Sequence, residues 1–222
     1  MHFTKLSNAS YMYKVHSLFL NSIGDDSIKR AVYSFGYSER KIRDGKSLFD
    51  ALSAIDNEQV IVNQEKIKLN LERKKLQQKV HRDYMKYIKI ARIVFAENHE
   101  ANAILLLSGV RDRIYINWHF QVNVFCSNLL KTTDYWKELG EFGIHKSQIE
   151  ALYSNLNELN ILDEKCAKIT GSLKGLIQKK RKQLVNVQSW VSDYVKIARI
   201  ALEDAPQHLE KLGIIESHQN KN

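Results

Sequence analysis

The chain has 222 residues, 44% of them apolar, with a net charge of +9, nine glycines and one proline. That length can bury a sizeable core, and regularly spaced apolar positions exclude a disordered chain. So little glycine and proline also excludes an all-β or loop-rich fold, and long helices remain.

The N-terminal run MHFTKLSNASYMYKVHSLFL lacks the charged-then-apolar order and small-residue cleavage site of a secretory signal. The longest apolar run, Ala103 to Leu107, is far too short to span a bilayer. A soluble, cytoplasmic protein with no membrane contact is expected. Residues 8–23 place Tyr11, Val15, Leu18 and Phe19 at three- and four-residue spacing, which predicts an amphipathic helix. The cluster Gly24-Asp25-Asp26-Ser27 stops it and caps a short helix running to Phe35, closed by Gly36. Ser38 then caps a third helix.

Leu48, Ile55, Val62, Leu69 and Leu76 follow at seven-residue intervals, the stripe of a coiled-coil-like helix. Unbroken from Ser38 to about Asn98, it would be ~90 Å long at ~1.5 Å per residue. The competing reading breaks it near residues 63–68. Its end carries the phrase Tyr87-Ile-Lys-Ile-Ala-Arg-Ile93, with Ala91 small enough for a second helix to approach. Lys89 and Arg92 lie off that face, where positive charge suits the helix C-terminus.

The same phrase returns as Tyr194-Val-Lys-Ile-Ala-Arg-Ile200, 107 positions later. Without gaps, that offset also carries Phe35-Gly36 onto Phe142-Gly143, Asp56 onto Asp163 and Val80 onto Val187. We read residues 1–110 and 111–214 as two helical repeats packed as one domain, followed by a flexible tail, 215–222. In the second repeat Thr132-Thr133-Asp134 replaces the first capping cluster, and Ser147 with Glu150 forms a capping box. Leu159, Cys166, Leu173, Lys180 and Val187 continue the stripe, with Gly171 and Gly175 near the position of a break.

Positive charge is concentrated. Residues 66–92 carry +8 and residues 174–199 carry +6, leaving −5 for the rest. Arg73-Lys74-Lys75 and Lys180-Arg181-Lys182 coincide under the offset and are the candidate polyanion-binding residues. A solvated helix face is the competing explanation.

The eight histidines, at 2, 16, 81, 99, 119, 145, 208 and 218, never take metal-ligand spacing. Neither glycine-rich phosphate loops nor nucleophile motifs occur, and Cys126 and Cys166 read as reduced, buried thiols. No catalytic residue, cofactor or metal is expected.

The segments FGYSERKIRDGKSLFDAL (35–52) and DYVKIARIALEDAPQHLEKLGI (193–214) resemble a loosely defined group of uncharacterised bacterial all-helical proteins. The resemblance covers each repeat, implies no activity, and departs at Val94-Phe95, where Ala-Leu is the pattern. The resulting expectation is an all-α, internally duplicated bundle with two long coiled-coil-like helices and shorter helices along them. Its function is expected in self-assembly or contact with a helical protein partner, with nucleic-acid binding as the alternative.

Overall fold

The computed structural model describes residues 7–214, so the expected tail at 215–222 lies outside the described residues. Among the described residues there are eight helices and no strand. They are α1 (Asn8–Gly24), α2 (Asp26–Tyr33), α3 (Glu39–Val94), α4 (His99–Ile104), α5 (Tyr115–Lys131), α6 (Tyr135–Glu141), α7 (Lys146–Ala201) and α8 (Pro206–Lys211). The fold is an all-α bundle in which α3 and α7 pack against each other with the shorter helices.

Local chemistry sets the helix ends. The Ser7 hydroxyl accepts from the Ser10 N–H at 3.3 Å, and the Asp25 carboxylate accepts from Ser27 and Ile28 at 2.9 and 3.2 Å. Each of these bonds satisfies an N–H that the first helical turn leaves without a partner. Gly36 and Gly143 close α2 and α6 at φ of 83° and 73°. There Tyr37 N–H reaches the Val32 carbonyl and Ile144 N–H reaches that of Leu139. Ser38 caps α3 as expected, accepting from Lys41 at 3.3 Å. The second capping box is corrected: α7 starts at Lys146, before Ser147, and Gln148 Oε1 accepts from His145 N–H at 3.0 Å.

Both long helices are continuous, 56 residues each, through residues 63–68 and 170–175. The chain nevertheless divides there into two compact units, Met1–Asn63 with Ser172–Asn222, and Gln64–Gly171. These units do not follow the expected boundary between residues 1–110 and 111–214. Each combines the short helices and first half of one long helix with the last half of the other.

In the first unit, Phe19, Ile42, Leu52, Tyr194, Ala198 and Leu209 lie within one core. Burying each large apolar side chain contributes about 1.5–3 kcal/mol. Trp190 stacks on Tyr194 at 5.1 Å and lies against Phe19 and Tyr37. A Cβ on Gly45 would stand 2.2 Å from that indole, so only glycine admits it. The Tyr194 hydroxyl donates to Ser22 Oγ, which donates to the Leu18 carbonyl, both at 2.7 Å. Gln183 Nε2 donates to the Leu48 carbonyl at 2.7 Å and Lys180 pairs with Asp56, so α3 and α7 run antiparallel here.

In the second unit, Tyr84, Ile88, Ala91 and Phe95 of α3 pack with Phe125, Leu139, Ile149 and Leu156. Tyr84 meets Phe125 edge-on at 5.6 Å, and Phe95 lies 4.8 Å from Tyr135. Arg73 pairs with Asp163 and Lys79 reaches Asn155 at 3.4 Å, again an antiparallel register. Asn128 donates to the Ile104 carbonyl at 2.8 Å, and in the first unit Asn21 donates to that of Lys211 at 2.6 Å. Donors and acceptors in these two bonds stand 107 positions apart, as do those of the Arg73–Asp163 and Lys180–Asp56 pairs.

Ala91 and Ala198 are fully buried, the packing role read from the repeated phrase. All five seven-residue positions from Leu48 to Leu76 are half-buried, and full burial along α3 stops at Leu52 and resumes at Val80. Cys126 is buried, Cys166 is half-buried and both are free thiols. Among the described residues no helix is long and apolar enough to cross a membrane.

Candidate anion-binding cavity

The six predicted polyanion-binding residues do not act alike. Arg73 donates through Nε to the Asp163 carboxylate, and its guanidinium lies 4.8 Å over the Tyr115 ring. The Tyr115 hydroxyl donates to the other oxygen of Asp163. Burial, then that carboxylate, pushes the phenol up to about 12. Lys180 is likewise held by Asp56. Two of the six charges are thus spent on pinning α3 to α7 within their units.

Lys75 lines a shallow groove of about 360 Å³ together with Lys79 and two acids, Glu72 and Glu158, so its lining carries both signs of charge. Arg181 and Lys182 are exposed on α7. Lys74 alone of the six enters a cavity rich in positive charge.

That cavity lies wholly in the second unit and measures about 870 Å³. One wall is α3, which presents Lys74, Gln78, His81, Met85 and Arg92 at spacings of three, four and seven residues, one helical face. Another wall is the connection Gly109-Val110-Arg111-Asp112-Arg113, and the start of α5 adds Tyr115 and Trp118.

The connection is held in place by the arginines themselves. Arg92 donates through Nε to the Leu107 carbonyl and through Nη2 to that of Gly109, both at 2.5 Å. Its role is therefore more specific than complementing a helix end. Arg111 donates through Nη1 to the buried Tyr84 hydroxyl at 2.8 Å and through Nη2 to the Ser108 carbonyl at 2.6 Å.

Neutral carbonyls and a phenol orient both guanidinium groups without cancelling their charge. The single acid in the lining, Asp112, is engaged elsewhere. Its two oxygens accept from Ile114 N–H and Asn117 Nδ2, each at 2.8 Å. Those bonds, the Ile114 N–H foremost, hold its carboxyl below the usual range. Among the described residues, Lys74, Arg92, Arg111 and Arg113 make no ion pair with a carboxylate.

Two donors in the lining are buried and unsatisfied, Arg111 Nε and Trp118 Nε1. Trp118 is 4% exposed and lies 6.1 Å from the His81 ring and 5.7 Å from Tyr115. Buried donors of this kind cost about 1–3 kcal/mol each until an acceptor reaches them. The arrangement is chemically a cationic, donor-rich site beside a cluster of mutually tilted aromatic rings.

Sequence reasoning reached Lys74 and missed Arg92, Arg111 and Arg113 as a group. The available signal was the pair of arginines flanking Asp112 beside Gly109 in the connection between α4 and α5. No family model matches the chain, and no curated protein or solved structure matches it.

Proposed function

We propose that this protein acts without catalysis of its own, by self-association or contact with a helical protein partner. We further propose that it is built from two copies of one helical unit joined by coiled-coil-like helices. The carrying observation is a set of exposed apolar residues that recurs at the 107-residue spacing. Tyr13 and Phe120 are 74% and 59% exposed, Phe35 and Phe142 47% and 53%, Ile93 and Ile200 67% and 55%. Core packing accounts for repeated buried residues, but it places no demand on exposed ones. Apolar side chains kept at solvent in both halves fit a surface that another protein covers.

Each compact unit carries one member of every pair, so the protein presents the same contact chemistry twice. Light scattering over a range of concentrations tests this reading. Association that strengthens with concentration and is lost in a Tyr13→Ser/Phe120→Ser double variant is expected. A monomer at every concentration contradicts self-association.

Nucleic-acid binding stands second, because Arg73 and Lys180, two of its six residues, are already paired with carboxylates. The unpaired cations of the cavity are what still favour it. A mobility-shift assay at low salt tests it, and retention of neither DNA nor RNA contradicts it.

A further inference from the structure

We propose that the cavity of the second unit binds a phosphorylated nucleoside, as a free mononucleotide or as the terminal nucleotide of a strand. The inference is independent of self-association and concerns one site within residues 64–171.

Charge selects an anion. Arg92 and Arg111 both donate to the Gly109 carbonyl, with Arg113 two residues on, and their charge is uncompensated while Asp112 is turned to the start of α5. Lys74 lines a more distant part of the cavity, about 27 Å before Arg92 along α3 at ~1.5 Å per residue. Preorganisation strengthens the selection. The carbonyls of Leu107, Ser108 and Gly109 and the Tyr84 hydroxyl fix two guanidinium groups in place, so little side-chain freedom remains to be lost on binding. Fixed guanidinium groups match phosphate oxygens in charge and geometry.

Size and lining then exclude a bare inorganic ion as the whole ligand. A cavity of about 870 Å³ is on the scale of organic ligand sites. Its remaining lining is rich in aromatic and apolar side chains, with Tyr115, His81, Met85 and Val110 beside the nearly buried Trp118. A planar base against that lining, with Gln77 and Gln78 to meet its edge, uses what the phosphate leaves uncovered.

Fluorescence titration of the full chain with adenosine monophosphate, adenosine, inorganic phosphate and an end-phosphorylated single-stranded oligonucleotide tests the proposal. Saturable binding of adenosine monophosphate is expected, at least about tenfold tighter than adenosine or inorganic phosphate, because neither part alone uses both walls. Arg111→Ala should weaken it at least about tenfold, as the removal of a charged hydrogen bond does. Arg113→Ala, on the exposed connection, should weaken it in the same direction without disturbing the fold. Arg199→Ala, 107 positions from Arg92, should leave it unchanged.

An oligonucleotide that binds more tightly than the monophosphate, with the same sensitivity to Arg113→Ala, identifies a strand end as the source; comparable affinities identify the free nucleotide. Failure of wild-type protein to bind either phosphorylated probe overturns the proposal. So does binding that survives both Arg111→Ala and Arg113→Ala, or inorganic phosphate binding as tightly as the nucleotide. None of these outcomes bears on the light-scattering result.

Discussion

Gly45 and Trp190 are one contact written by two residues far apart in the chain. The indole occupies the space of a Cβ at Gly45 and is held by Phe19, Tyr37 and Tyr194. Gly→Ala inside a helix ordinarily stabilises by about 1 kcal/mol. At this position the sign should reverse, because a rigid, packed ring cannot yield: Gly45→Ala should lower the unfolding free energy, measured by denaturant titration, by about 1–3 kcal/mol. Asp25 gives a second prediction at this scale. Lys211, then the Ile28 and Ser27 N–H groups, hold its carboxyl near 2 against an ordinary value of 3.8. A depressed carboxylate stabilises the fold above its unfolded value, and that contribution disappears as pH falls through the folded one. The contacts of Asp25 with Lys211 should therefore weaken between about pH 4 and pH 2. In Lys211→Ala, NMR titration should find the Asp25 pKa raised; an unchanged value contradicts the pairing.

Helix type and length were legible at the scale of elements, because scarce glycine and proline with a seven-residue stripe leave no other structure. Continuity through Gly171 and Gly175 was the finer question. A Cβ at either would meet nothing within 4 Å, so each glycine costs helix propensity and relieves no clash. Gly171→Ala and Gly175→Ala should each raise stability by about 0.5–1 kcal/mol in a urea titration, the opposite of Gly45→Ala. Loss of stability at either would mean that the glycine serves a contact. The capping box at Ser147 failed because Gln148, one residue on, serves the same N–H shortage from inside the helix. The cavity was legible only at Lys74. Its arginines act through loop carbonyls, and hydrogen bonds to backbone leave no spacing pattern in a sequence.

At the scale of the whole molecule, a repeated sequence cannot say which half of a long helix meets which short helices. Asp56 and Lys180 match Asp163 and Arg73 in chemistry, so residue types alone allow Asp56 to face either cation. Geometry decides. Asp56 and Arg73 belong to different compact units, and each carboxylate takes its partner from the other long helix within its own unit. The compact units consequently draw on both 1–110 and 111–214, and only Gln64–Gly171 is contiguous in sequence. The most direct measurement is circular dichroism during thermal unfolding of two fragments, residues 64–171 and residues 1–110. The 64–171 fragment should melt cooperatively as a monomer, whereas 1–110, lacking the half of α7 that completes its core, should not. A cooperative, monomeric 1–110 beside an unfolded 64–171 would contradict the exchange of helix halves on which the account rests.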